Sequence, residues 1–145
     1  MGDGITALED ERAITKLVLK YARGADTRDG ALFASIFTPD GVLQRGEQQT
    51  AGQEKLAKVP RILEAYTKSY HTMNNTLIEI DGDSASGVIY SAAHHLRPIE
   101  GTTYSDRVMY ITYHDSYVRT AEGWRIAHRN VVTEFIEYRT VTIND

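Results

Sequence analysis

Apolar side chains recur at helical spacing along the first part of the chain. Ile14, Leu17, Val18, Tyr21, Ala22 and Ala25 fall on one stripe with charged residues between them, which predicts an amphipathic helix. The preceding Thr6–Glu9 stretch, TALE, has the form of a capping box that would start this helix. Asp29 is placed to cap a shorter second helix with Leu32, Phe33, Ile36 and Phe37 inward. The TPDG run, Thr38 to Gly41, predicts a turn that ends it, followed by a short strand through Val42 and Leu43. A third helical segment is predicted over 53–70, split by Pro60, with Leu56, Leu63 and Tyr66 inward.

Past His71 the period changes from helical to alternating. The runs TLIEI, SGVIYSAAHHL, DRVMYITYHDSYV and GWRIAHRNVVTEF are β-branched and aromatic, and DGDS, PIEGTT and TAEG separate them. Helices first and strands afterwards predict an α+β domain, its helices packed on one face of a curved antiparallel sheet. With 145 residues and no linker or repeat, the expectation is a single domain over residues 1–145.

Composition narrows the function. A net charge of −4 and no Lys/Arg-rich run argue against a nucleic-acid partner. No apolar run reaches the roughly 20 residues that span a bilayer, and no signal-peptide pattern is seen, so no membrane role is expected. The absence of cysteine fits a reducing compartment and predicts a cytoplasmic protein. The opening MGDGIT matches a loose myristoylation pattern, but Thr6 is better used as a helix cap. His94, His95, His114 and His128 have no recognised ligand spacing, so no metal site is expected. Gly-rich phosphate loops and nucleophile motifs are missing as well.

The chemistry lies in polar residues on apolar stripes. Residues 18, 22 and 26 are successive i, i+4 positions, so Asp26 continues the buried stripe if the helix persists. If the helix has already ended at Gly24, Asp26 is free to cap the next one. A carboxylate on a core-facing stripe is costly unless paired, and His71 stands where helix is expected to give way to strand. A carboxylate beside an imidazole favours its protonated form and selects its tautomer, which leaves the other nitrogen to accept a proton. Tyr21 adjoins Asp26 on the same stripe. If Arg119 pairs with Arg125 across the TAEG turn, Asp115 comes opposite Arg129. Tyr113, Asp115 and Tyr117 then share a face with 127, 129, 131 and 133, while Trp124, Ile126 and Val132 take the other.

These pieces resemble a known family. YARGADTRDGALFASIFTPDGVL, then His71 before NNTLIEIDGDSAS, then YHDSYVRTAEGWRIAHRNVV are similar, in order, to the SnoaL-like family of the nuclear-transport-factor-2-like superfamily. The resemblance implies a cone, with about three helices closing a strongly bent sheet around a deep pocket. In the dehydratase and dehydrochlorinase branches an Asp ending the first long helix meets a His opening the sheet; Asp26 and His71 stand there. Tyr21 matches a tyrosine of the bile-acid dehydratase, and Arg129 and Tyr113 match pocket residues of the dehydrochlorinase. Thr133 departs from the bile-acid pattern, which has an arginine at that place.

The resemblance thus implies catalytic His71, Asp26 and Tyr21, with Arg129 and Tyr113 holding substrate. It implies a cofactor-independent lyase or isomerase acting on a small hydrophobic, cyclic molecule, in a homo-oligomer, dimer or trimer. Direct proton abstraction by Asp26 is a variant of that reading. The alternative is a non-catalytic binding or dimerisation module of the same fold.

Overall fold

A computed structural model describes residues 2–144. Helix α1 spans Gly2–Asp26 and α2 spans Gly30–Ser35. Strands β1, Phe37–Arg45, and β2, Gln48–Ala51, form a hairpin; α3, Gln53–Leu56, and a 3₁₀ segment, Val59–Ala65, follow. The long strands are β3, Lys68–Asp81; β4, Ser84–Glu100; β5, Thr103–Thr120; and β6, Gly123–Thr142. With β1 and β2 they form one curved, unclosed six-stranded sheet in the order β2-β1-β6-β5-β4-β3.

The core lies between α1 and the concave face. Ile14, Leu17, Val18, Tyr21 and Ala25 pack with Phe33, Phe37, Ile89, Ala93, Ile111, Tyr113 and Tyr117 in one buried cluster. The predicted stripe of α1 is therefore its buried face. Gly24 lets α2 cross close beneath it, since a Cβ there would lie 2.9 Å from the backbone nitrogen of Phe33. Asp29 caps α2 as expected, its Oδ1 accepting from the Leu32 amide at 2.9 Å.

Several local expectations are corrected. The helix already runs from Gly2, so Thr6 lies inside it and is not its cap. TPDG is not a turn between elements but an irregular part of β1. Phe37 aligns with Ile126 and Val42 with His128, so the extra residues bulge out. The fold there is tight enough that a Cβ on Gly41 would sit 2.8 Å from that of Phe37. The predicted 53–70 helix is split, but before Pro60: α3 ends at Leu56, Ala57 and Lys58 turn, and Pro60 lies in the first turn of the 3₁₀ segment, while residues from Lys68 onward belong to β3. The sheet is also not wholly antiparallel, because β1 runs parallel to β6. After β1, the chain passes through β2, α3 and the 3₁₀ segment to reach β3 at the far edge, and the rest of the sheet is an antiparallel meander.

The β5–β6 register contains a cancellation. The tight turn pairs Arg119 with Trp124, one residue away from the predicted Arg125. A bulge at Ala127 then restores the count, and Asp115 stands opposite Arg129 as expected. Because the bulge lies between them, Trp124 and Ile126 share the concave face with Asp115 and Tyr117, and both are buried. The expectation that they face the other side is wrong for that reason. Val132, beyond the bulge, does lie on the convex side.

Candidate active site

Asp26 is the last helical residue of α1, and a well-formed terminus holds it there. The amide of Asp29 donates to the carbonyl of Gly24 and that of Arg28 to Ala25, the Schellman pattern. Arg28 takes the left-handed position, with φ 56°, where glycine is usual. That conformation costs a side-chain-bearing residue roughly 1–2 kcal/mol, and the guanidinium offsets it. Nη1 donates to the Asp26 carbonyl at 2.7 Å and to Ser69 Oγ at 2.6 Å, and Nη2 to the Leu63 carbonyl at 2.9 Å. Arg28 thus ties the helix end to the 3₁₀ segment and to β3.

On β3, Ser69 and His71 project to the same side and reach the Asp26 carboxylate. Oδ1 accepts from Ser69 Oγ at 2.9 Å and pairs with His71 Nδ1 at 2.7 Å, while Oδ2 accepts from the His71 amide at 2.7 Å. Burial alone would raise the Asp26 pKa, but the hydrogen bonds from the His71 ring, its amide and Ser69 outweigh it. The net direction is downward, so the group is a carboxylate. As a carboxylate it accepts only, which puts the proton on His71 Nδ1 and leaves Nε2 as the free nitrogen. The side chain of His71 is 8% exposed and that of Asp26 19%.

His71 forms a wall between two spaces. Outside is a surface groove that also includes Asp26, Arg23 and Arg28. Inside is a cavity of about 440 Å³ lined by apolar and aromatic side chains, among them Phe33, Leu63, Met109, Ile111 and Val131. Tyr21, Tyr113 and Thr133 line it too; Asp26 does not. Burial, and then the neighbouring Tyr21, push the Tyr113 hydroxyl pKa well above the ordinary phenol range, so it remains a donor.

Arg129 departs from expectation. It pairs with Asp115 through Nε at 2.8 Å and Nη2 at 2.6 Å, and Tyr117 donates to the same carboxylate. Its guanidinium lies 4.3 Å from the Tyr21 ring centre and 4.4 Å from that of Tyr113. With 0% exposure it is not part of the cavity wall. Burial opposes its charge, but the Asp115 carboxylate more than compensates, so the ion pair persists. A desolvated stack of this kind contributes about 2 kcal/mol. Arg129 supports the two tyrosines from behind, where direct contact with substrate was expected.

The sequence reading missed His95. Its ring stands edge-on to His71, 5.7 Å between centres, on the cavity wall. Nδ1 lies 3.2 Å from the Arg107 carbonyl, which only accepts, so this ring also presents Nε2 as an acceptor. Burial lowers its pKa, the Arg107 carbonyl works against that, and the charges of His71 and Arg107 add to the lowering. The alternation Ile89, Ser91, Ala93, His95 on β4 was the available signal. Ser69 and Arg28 carried no sequence signal that distinguished them from surface polar residues. His94 faces the other way and pairs with Asp106, Nδ1 to Oδ2 at 2.6 Å. Among the described residues no group of three His, Cys, Asp or Glu is placed to hold a metal.

The family model described as a SnoaL-like domain matches residues 6–130. The chain belongs to this family. Rv2910c, an uncharacterised protein of Mycobacterium tuberculosis strain H37Rv, is 25% identical over 86% of each chain. A variant of Rv3472 from the same species, of unknown function, superposes with a TM-score of 0.82 at 24% identity, covering 92% of this chain and 77% of its own. The hexachlorocyclohexane dehydrochlorinase LinA-type3 of Novosphingobium barchaimii LL02 gives a TM-score of 0.82 at 18% identity over 94% of both chains. At such identities the structural likeness speaks to the fold. No helix among the described residues is long and apolar enough to cross a membrane.

Proposed function

We propose that this SnoaL-like protein is a cofactor-independent lyase or isomerase acting on a small, hydrophobic, cyclic molecule. One observation carries the reading: Asp26 Oδ1 sits 2.7 Å from His71 Nδ1, while the imidazole lines a largely apolar cavity. His71 Nε2 removes a proton from a carbon beside a carbonyl or a leaving group. The electron pair left on that carbon forms a double bond and expels hydroxide or halide, or moves onto the carbonyl oxygen as an enolate. Asp26 lies behind the imidazole and off the cavity wall, which favours His71 over Asp26 as the direct base. Its charge stabilises the imidazolium that forms.

Tyr21 and Tyr113 line the same cavity and supply hydroxyl donors for the carbonyl or leaving group. Positioned proton transfer contributes about 10²–10⁴ in rate. The likeness to a dehydrochlorinase fold supports elimination within this class. Exposed Leu77, Tyr90 and Phe135, with Tyr70, lie on the convex face and support assembly into a homo-oligomer, a dimer or a trimer. The protein is assigned to the cytoplasm on its lack of cysteine.

The test is a panel of cyclic β-hydroxy ketones and polychlorinated cyclohexanes, followed by product formation and by deuterium uptake at carbon in heavy water. Wild type turns over or exchanges at least one compound, and H71A loses that activity. Binding without turnover or exchange across the panel points instead to the binding-module reading, and an H71A rate equal to wild type removes His71 as the base.

A further inference from the structure

A second pocket adjoins the cavity and shares Tyr66, His95 and Arg107 with it. Its other walls are Arg97, Ser105 and Tyr138, and it holds about 330 Å³. Arg107 stands opposite His95 and Arg97 opposite Ser105 across β4 and β5, so the two arginines are diagonal neighbours on the concave face. Like charges so placed repel, and a carboxylate between them is the usual remedy. No Asp or Glu lines either space among the described residues. Among the described residues neither arginine takes part in a salt bridge. Arg97 stacks on the Tyr66 ring at 4.7 Å, which orients its plane while leaving its N–H edge unpaired by any acid. Arg107 Nη1 meets the Met109 sulfur, at 3.3 Å.

We propose that this side pocket is the subsite for an oxyanion carried by the substrate, a carboxylate or a phosphate monoester, with Arg97 and Arg107 as its specificity-determining residues. The hydrophobic body then fills the main cavity against His71, and the anion extends past His95 to the paired guanidinium groups. Two planar forks match an oxyanion's geometry and supply charge-assisted hydrogen bonds that a neutral group cannot return. The inference rests on the reading of the main cavity as the substrate site.

The experiment is calorimetric titration of wild type with 2-naphthoate, its neutral isostere 2-naphthamide, and 2-naphthyl phosphate at low ionic strength. At least one anion binds about tenfold or more tightly than the amide, the scale of one charge-assisted hydrogen bond. Which of the two binds better tells a carboxylate subsite from a phosphate one. The preference shrinks in 1 M salt, R97Q reduces it while leaving amide affinity in place, and R107Q reduces it as well. Arg97 is exposed, so R97Q provides the test even if R107Q misfolds. R45Q serves as the rival, because Arg45 also lines the main cavity. If the preference falls in R45Q and stands in R97Q, the assignment is overturned. Equal affinity for all three compounds overturns it and leaves the cavity reading standing. If none of them binds, both readings fall.

Discussion

Asp10, about two turns into α1, and Asp26, its last residue, lie roughly 24 Å apart at 1.5 Å per residue, and both turn toward the sheet. Asp10 meets Arg119 with two parallel hydrogen bonds of 2.7 Å and takes a third, 2.9 Å long, from the indole of Trp124. Arg119 in turn lies 4.6 Å above the Trp124 ring and reaches Asp83 at 2.9 Å. Asp26 instead meets an imidazole and a serine hydroxyl. The partner decides what each carboxylate does. A guanidinium cannot give up its proton in the working range, so Asp10 forms a clasp between helix and hairpin. An imidazole can take a proton on one ring nitrogen while its other N–H stays bonded to the carboxylate, so Asp26 can support proton transfer. Position matters equally: His71 borders a cavity, whereas the Asp10 cluster fills the space it occupies.

The largest test of this contrast is kinetic. H71A is expected to lower turnover by about 10²–10⁴ with an unchanged circular dichroism spectrum. D26N follows close behind, because an amide can hold the wrong tautomer. D10N should leave the rate near wild type. A D10N rate as low as that of D26N would end the distinction.

Next in size is the buried pair. Asp115→Ala strands the fully buried Arg129 charge, which typically costs 3–5 kcal/mol, or about that here. Urea denaturation measures it, and a loss below about 1 kcal/mol would show that the pair behaves like a surface bridge.

A smaller effect concerns the support of the dyad. R28N keeps a residue that tolerates positive φ but removes the side-chain hydrogen bonds to Ser69 and Leu63. Turnover should fall about tenfold through misplacement of Asp26, and restoring length with R28K should recover part of it. Equal rates in all three would remove Arg28 as a positioning residue.

The smallest is the pH dependence of the clasp. Hydrogen bonds from Arg119, first, and from Trp124 hold the Asp10 pKa down at about 2, against an ordinary 3.8. A depressed carboxylate contributes stability that is present above its unfolded value and lost as pH falls through its folded value. The stability gap between wild type and D10N should therefore be constant above about pH 5 and close between about pH 4 and pH 2. Melting temperatures across that range measure it. A gap that widens toward acid would mean the sign is wrong and Asp10 is not held ionised.

Much of this was legible before the fold was known, and the division follows the range of the forces involved. The stripe from Ile14 to Ala25 and the alternation of the last four strands are local periodicities. Amphipathic segments have few ways to bury one face, so spacing alone determined the helix, the strands and their order. The same stripe pointed to Asp26, and the family resemblance paired it with His71. What spacing left open was whether α1 reaches Asp26. That depended on Arg28 accepting a left-handed conformation, which its hydrogen bonds to the Asp26 carbonyl and to Leu63 and Ser69, distant in sequence, help to hold.

The faces of Trp124 and Ile126 escaped for a related reason. A single bulged residue at Ala127 reverses the alternation, and it is matched to the irregular stretch of β1 that runs beside it. Arg129 was placed in the right register but given the wrong surroundings, since only the packing of Tyr21 from α1 over the sheet closes it off. The tautomers of His71 and His95 likewise depend on which acceptor each Nδ1 meets in space. Sequence by itself determined the elements and the candidate groups; tertiary structure decided which groups meet, because bulges, caps and buried charges are settled by contacts far apart along the chain.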